Sequence, residues 1–323
     1  MNYSIGVDLG GTQIRAVRID RDGQIHAHQR VATATAGPQD VIAQIEQLIA
    51  AMVGDVPPEE IIGVGVASPG PVDLRTGVAL RAPTIAGWFD IPLKALLEEQ
   101  TGLHVDLQND ANMAALGEWR FGSGRGCAHF VYVTISTGIG GGVIVDNKLL
   151  LGRKGMAGEV GHMTLLPDGP ACTCGNRGCW EALASGTALA QFAADALAAG
   201  QPSLIREIAA GAPVRGAHVA AAAERGDPLA LALMQREGEW IGIGVTNLLL
   251  LYSPERLAIG GGVSQNMALL EPHIRRTVDT RVMPPFRDVP IAAAQLGDNA
   301  GVIGAAASLV VQNEFHDHES RAL

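Results

Sequence analysis

The stretch Tyr3-Ser-Ile-Gly-Val-Asp8-Leu-Gly-Gly-Thr12-Gln-Ile-Arg-Ala-Val-Arg-Ile19 decides the fold. Apolar residues alternate up to Asp8, stop at Leu9-Gly10-Gly11-Thr12, and alternate again from Gln13 to Ile19. A period of two sets one face of the chain on a core, so the stretch predicts strand, turn, strand. Asp20-Arg21-Asp22-Gly23 comes next, and Asp-Gly is a strong hairpin signal, so a third strand returns beyond it.

A second copy of this pattern lies downstream. Residues 130–136 form an apolar strand, Thr137-Gly138-Ile139-Gly140 a turn, and 141–146 the return strand. Between the copies, Val41, Ile42, Ile45, Leu48 and Ile49 give 38–53 a helical period. The same reasoning predicts strands at 61–67 and 105–108, and helices at 93–100 and 110–120, the last with an acidic residue at its start. Residues 181–252 are Ala- and Leu-rich helix, broken at 211–213 and 226–228. A short strand at 257–259 ends in Gly260-Gly261-Gly262, and a final helix occupies 298–311. Two glycine-turn hairpins, each opening a run of strands and helices, predict two similar α/β lobes joined by a hinge crossed more than once.

Composition bounds the function. A chain of 323 residues has room for two domains. With 47% apolar and 17% charged residues, disorder is excluded as its main state. Its 33 acidic and 23 basic residues leave a net charge of −10, against the clustered cations that phosphate-tracking nucleic-acid binders need. The longest apolar candidate for a membrane span, 240–252, is too short and holds Gly242, Gly244 and Asn247. No basic-then-apolar leader is seen, and four cysteines are too few for a secreted disulfide framework. A soluble cytoplasmic protein with neither a nucleic-acid nor a membrane partner is expected.

Three constellations carry chemistry. His162 and Cys172-Thr-Cys174-Gly-Asn-Arg-Gly-Cys179 set one imidazole and three thiols within eighteen residues. That set suits a tetrahedral zinc ion, and four protein ligands leave no open position, so the zinc is expected to be structural. The alternative is three buried or redox cysteines beside an unrelated histidine. Glycine turns are the second constellation: Gly10, Gly11 and Thr12, then Thr137, Gly138 and Gly140, then Gly261 and Gly262. Backbone N–H groups unshielded by side chains can wrap phosphate oxygens, and Asp8 can hold Mg²⁺ through water. One such turn alone is an ordinary hairpin; the set predicts a nucleotide site. The third is Asn109-Asp110, where a strand runs into a helix. Taken alone, Asp110 is the cap of that helix. Projecting into a crevice, it is a base that takes the proton of an attacking alcohol.

Taken with Ala67-Ser-Pro-Gly-Pro-Val-Asp73 and Gly158-Glu-Val-Gly-His162, these motifs resemble the ROK family of sugar kinases over residues 3 to 311. The resemblance implies an α/β fold of two ribonuclease-H-like lobes of the actin and hexokinase type, with an interlobe cleft and a zinc loop. The small lobe would span 1–115 plus about 299–323, and the large lobe 116–298. It implies Asp110 as catalytic base and Asn109, Asp110, Glu159, His162 and Glu181 as sugar ligands. His162 would also bind zinc through its other ring nitrogen, together with Cys172, Cys174 and Cys179. Gly10, Gly11, Thr12, Thr137 and Gly138 would surround the ATP phosphates, with Gly261 and Gly262 at the adenosine. The expected reaction is phosphorylation of a hexose at its 6-hydroxyl by ATP and Mg²⁺, with glucose the preferred sugar. N-acetylmannosamine, N-acetylglucosamine and fructose are the alternatives within the family. A homodimer, or a tetramer, is implied. Outside enzymes, a sugar-sensing regulator would carry a DNA-binding segment ahead of Asp8, where too few residues stand. An actin-like filament protein is opposed by the zinc motif and Asn109-Asp110.

Overall fold

The computed structural model describes residues 2–82 and 84–321, with side chains to residue 311; the ends of the expected small lobe at 1 and 322–323 lie outside these. Strands β1 (Tyr3–Leu9), β2 (Gln13–Ile19) and β3 (Ile25–Ala32) form the expected antiparallel meander. Helix α1 (Pro38–Val53) has Pro38 in its first turn, where no N–H is needed. It buries Val41, Ile45, Leu48, Ile49 and Met52 on one face. Strand β4 (Ile61–Ser68) follows, parallel to β1. Short strands β5 (Val72–Asp73), β6 (Val78–Arg81) and β7 (Phe89–Ile91) make a small separate sheet. Helix α2 (Leu93–Thr101) leads to β8 (Val105–Asn109), parallel to β4, and then to α3 (Asp110–Phe121).

The sequence repeat is reproduced in strand order. The first sheet runs β3-β2-β1-β4-β8. Strands β9 (Phe130–Ile135), β10 (Ile139–Val145), β11 (Lys148–Leu149), β12 (Arg256–Gly260) and β13 (Ile291–Ala293) form a second, ordered β11-β10-β9-β12-β13. In each, a meander is followed by two parallel strands. The expected turn at 137–140 is one residue pair shorter, because Ile139 and Gly140 already stand in the returning strand and the Ser136 N–H donates to the Gly138 carbonyl at 2.9 Å.

Between β11 and β12 the helical stretch is cut more often than Gly and Pro predict. It forms α4 (Trp180–Ala184), α5 (Gly186–Ala198), α6 (Leu204–Ala209), α7 (Gly216–Glu224) and α8 (Pro228–Tyr252). The extra break at Ser185 has a local cause: its hydroxyl accepts from the Ala188 N–H at 3.1 Å and starts a new helix. After β12 come α9 (Met267–Arg281) and α10 (Ala300–Arg321).

The chain forms two compact units. Among the described residues, one holds those within 1–128, 142–158 and 295–323; the other holds 129–141 and 159–294. In the first, Ile5, Val7, Val64, Val66, Val105 and fully buried Trp88 share the core with the apolar face of α1. Backbone contact, with no side chain between, seats α10. A Cβ on Gly65 would stand 1.7 Å from the Ala305 carbonyl oxygen, and one on Gly304 would stand 1.6 Å from that of Met113. Among the described residues no helix is long and apolar enough to cross a membrane.

Candidate active site

Three parallel strands of the first sheet end together, and their ends carry the candidate residues. Asp8 pairs with Ala67, and Ala67 with Gln108. Strands about 4.8 Å apart put Asp8 and Gln108 roughly 10 Å from one another along that edge. Asn109 and Asp110 follow at once, as α3 begins. Ligands of open α/β sheets gather at such carboxyl ends.

Asn109, and not Asp110, caps the helix. Its Oδ1 accepts from the N–H groups of Ala111 at 2.9 Å and Asn112 at 3.3 Å. Its Nδ2 donates to the Gly70 carbonyl at 3.1 Å. Asp110 stands one residue further on, half-buried in the first turn, with Oδ1 accepting from the Ala111 N–H at 2.8 Å. With the capping position filled by its neighbour, the Asp110 carboxylate is not needed there for the helix to start.

Asp8 is half-buried, its Oδ2 3.4 Å from Arg15 Nη1. Burial raises its pKa above the ordinary carboxylate value, against the opposing charge and hydrogen bond of Arg15. Arg15 lies directly across the hairpin from Asp8 and also donates to the Asp298 carbonyl at 2.8 Å. Nothing in composition singles out Arg15, but the hairpin register does. A carboxylate beside a glycine turn fits Mg²⁺, which takes one or two carboxylates and fills its octahedron with water and phosphate oxygens. The turn is fixed by the Thr33 hydroxyl, which donates to the Gly10 carbonyl at 2.7 Å, and by the Gly10 N–H on the Gln13 carbonyl at 3.0 Å. A Cβ on Gly11 would lie 2.4 Å from that of Thr84, a neighbour no sequence signal announces.

In the second unit, Gly260 pairs with Thr134 in parallel register, so the turns after β9 and β12 share one edge. Thr137 is exposed and Gly138 half-buried. Gly261 has φ +83°, and a Cβ there would stand 2.4 Å from the Ile135 carbonyl oxygen. Beside Gly262 the nearest atom to such a Cβ is the Ser136 hydroxyl at 3.8 Å, leaving open backbone. Glu181, in the first turn of α4, ties this edge to the cysteine loop. Its Oε2 accepts from the Ile139 N–H at 3.0 Å, and its Oε1 accepts from the Thr173 hydroxyl at 3.4 Å.

The ligand atoms of His162, Cys172, Cys174 and Cys179 all lie within 4.8 Å of one another. Cys174 Sγ is 3.7 Å from Cys179 Sγ, and Cys172 Sγ is 3.7 Å from His162 Nδ1. Bonds of about 2.3 Å to tetrahedral zinc demand sulfurs roughly 3.8 Å apart, so the quartet fits the ion. Hydrogen bonding from the Asn176 backbone lowers the Cys174 thiol, while burial pushes the Cys179 thiol up to about 12. His162 turns Nδ1 to the thiols, leaving Nε2 on the other side of the ring. Glu159 is exposed, and its carbonyl accepts from the His162 N–H at 3.1 Å. Asp8, Gly10, Gly11, Thr12, Asn109 and Asp110 are thus gathered at one edge of the first unit. Thr137, Gly138, Gly140, Glu159, His162, Glu181, Gly261 and Gly262 belong to the second.

Comparison with known proteins gives one answer. A sequence profile described as the ROK family matches residues 4–313. The glucokinase of Streptomyces coelicolor is 38% identical over 315 residues, covering 95% of this chain and 97% of its own. The xylose repressor of Bacillus subtilis is 31% identical over 318 residues, covering 98% of this chain and 78% of the repressor. A ROK family glucokinase from Streptomyces griseus, solved in complex with glucose and AMPPNP, superposes with a TM-score of 0.79 at 36% identity, over 94% of this chain and 98% of that one.

Proposed function

The chain belongs to the ROK family, and from that membership we propose that it is an ATP-dependent hexose kinase acting on the 6-hydroxyl, with glucose as the preferred sugar. The observation that carries this reading is the shared strand edge of Asp8, Asn109 and Asp110 beside the first glycine turn. In the proposed reaction the Asp110 carboxylate accepts the proton of the 6-hydroxyl as its oxygen bonds to the γ-phosphorus and the bond to ADP breaks. Asn109, Glu159, His162 and Glu181 hold the sugar hydroxyls. A competitor lacking one hydroxyl leaves a polar group unpaired and is rejected on that account. The N–H groups of Gly11, Thr137 and Gly138 and the Thr12 hydroxyl hold phosphate oxygens, with Gly10, whose N–H is taken by the Gln13 carbonyl, shaping the turn, while Gly261 and Gly262 admit the adenosine.

Asp8 would hold Mg²⁺, which when bound would supply neutralising charge for the transferring phosphoryl group. His162, Cys172, Cys174 and Cys179 would hold a zinc ion, which would fix the loop that carries Glu181 and the ring of His162. A positioned base contributes about 10²–10⁴-fold, so most of the acceleration rests on alignment and charge.

The test is ADP release by the purified chain across glucose, mannose, fructose, N-acetylglucosamine and N-acetylmannosamine. Glucose is expected to give the highest kcat/KM. A higher value with an N-acetylhexosamine would reassign the substrate. The likeness to a xylose repressor supports a second reading, a sugar-sensing regulator. Sugar binding with no sugar-stimulated ADP release would favour it.

A further inference from the structure

A cavity of about 500 Å³ opens in the first unit, at the end of β2 and α3 away from Asp8 and Asp110. Arg21, Arg120 and Arg125 line it beside the rings of Trp119 and Phe121, against a single carboxylate, Asp22. Three guanidinium groups around one cavity stand out in a chain with ten more acidic than basic residues.

Local structure explains how the wall is built. The Asp20–Gly23 turn between β2 and β3 presents Arg21, while the last turn of α3 presents Trp119, Arg120 and Phe121. Gly23 has φ +83°, and a Cβ there would lie 2.6 Å from the Phe121 ring, so the turn and the helix end are seated on each other. The Trp119 indole N–H donates to the Cys127 carbonyl at 2.7 Å, holding the loop that carries Arg125. The Arg120 guanidinium lies 5.7 Å from the centre of the Phe121 ring. Among the described residues, the side chains of Arg21 and Arg125 make no hydrogen bond or ion pair. The Asp20 carboxylate is already engaged by the N–H groups of Asp22 and Gln24 and by His26.

We propose that this cavity is a second site, binding a small phosphate ester with its phosphoryl group on Arg21 and Arg125 and its ring against Trp119 and Phe121. Planar guanidinium forks match phosphate oxygens and are weakly hydrated, and two of them balance a dianion where a single carboxylate would occupy one. Aromatic faces suit either a sugar or a nucleobase. The site is separate from the residues assigned to catalysis. Seven residues of β2 at about 3.3 Å each place it roughly 23 Å from the first glycine turn. Twelve residues of α3 at about 1.5 Å each place it roughly 18 Å from Asp110.

Calorimetric titration of the full chain with glucose 6-phosphate, adenosine monophosphate and inorganic phosphate tests this. Wild type is expected to show one binding site more than Arg21→Ala/Arg125→Ala for at least one of the two esters, and the tighter ester identifies the ring. Both replaced side chains are exposed, so the melting temperature and any ATP KM of the double variant should match wild type. The Lys/Lys variant should retain the site with about tenfold weaker affinity. Identical isotherms for wild type and the Ala variant would overturn the proposal. So would inorganic phosphate binding as tightly as either ester, since the rings would then contribute nothing. Because the readout is the difference between two proteins, it stands apart from whether the chain phosphorylates a hexose.

Discussion

Glu237 is the residue most at odds with its surroundings. It lies in α8 with 0% of its surface exposed, and among the described residues neither carboxylate oxygen has a hydrogen-bond partner. Burial raises its pKa to about 8, against the pull of the Arg236 charge. The Arg236 guanidinium stacks over the Phe192 ring at 3.6 Å. Folding therefore favours the protonated acid. The resulting stability is fully present below the unfolded value of 4.5 and is lost as pH rises through about 8. Within that window the loss is about 1.4 kcal/mol per pH unit. Glu237→Gln, which cannot ionise, should flatten the profile, so thermal melts of the two proteins should diverge steadily from pH 5 to 8 and no further above it. Parallel melting curves across that range would mean the carboxyl ionises without cost. This residue was not legible beforehand: a Glu in an Ala- and Leu-rich helix looks like part of its solvent face. Only the packing of neighbouring helices onto that face buries it. Asp8 and Arg15 were partly legible, since the hairpin alone pairs them.

Elements differ in how much of their reason is local. Helix α1 was legible because Pro38 and the buried positions 41, 45, 48 and 49 lie within four turns. The cluster of His162, Cys172, Cys174 and Cys179 was legible for the same reason, as all four side chains fall between 162 and 179. Sheet β5-β6-β7 was not, because its two-to-four-residue strands acquire their meaning only from pairing. Nor was α9, where Pro272 and abundant charge interrupt the apolar period. Cys174→Ser should lower bound zinc from one ion per chain by metal analysis and reduce the melting temperature, and chelation of wild type should do the same. Unchanged melting on zinc removal would show that the loop folds without its ion. Gly304→Ala forces α10 away from α3, because the new Cβ would meet the Met113 carbonyl. Urea unfolding should report a loss of about 1–3 kcal/mol, as overpacking usually costs.

Across the whole molecule, one strand order is used twice, and each sheet ends in glycine turns on the carboxyl side of its parallel strands. That repetition was legible as a pattern of hairpins. The register that aligns Asp8 with Ala67 and Gln108 was not, since it joins residues a hundred positions apart. Family membership and the Asp110 edge together make a single chemical claim: a carboxylate takes a sugar hydroxyl's proton during transfer from ATP. Steady-state formation of glucose 6-phosphate from ATP by wild type and Asp110→Asn tests it directly. Wild type should give robust product, and the variant a kcat lower by about 10²–10⁴-fold at a sugar KM within a few-fold. A variant turning over within twofold of wild type would contradict it.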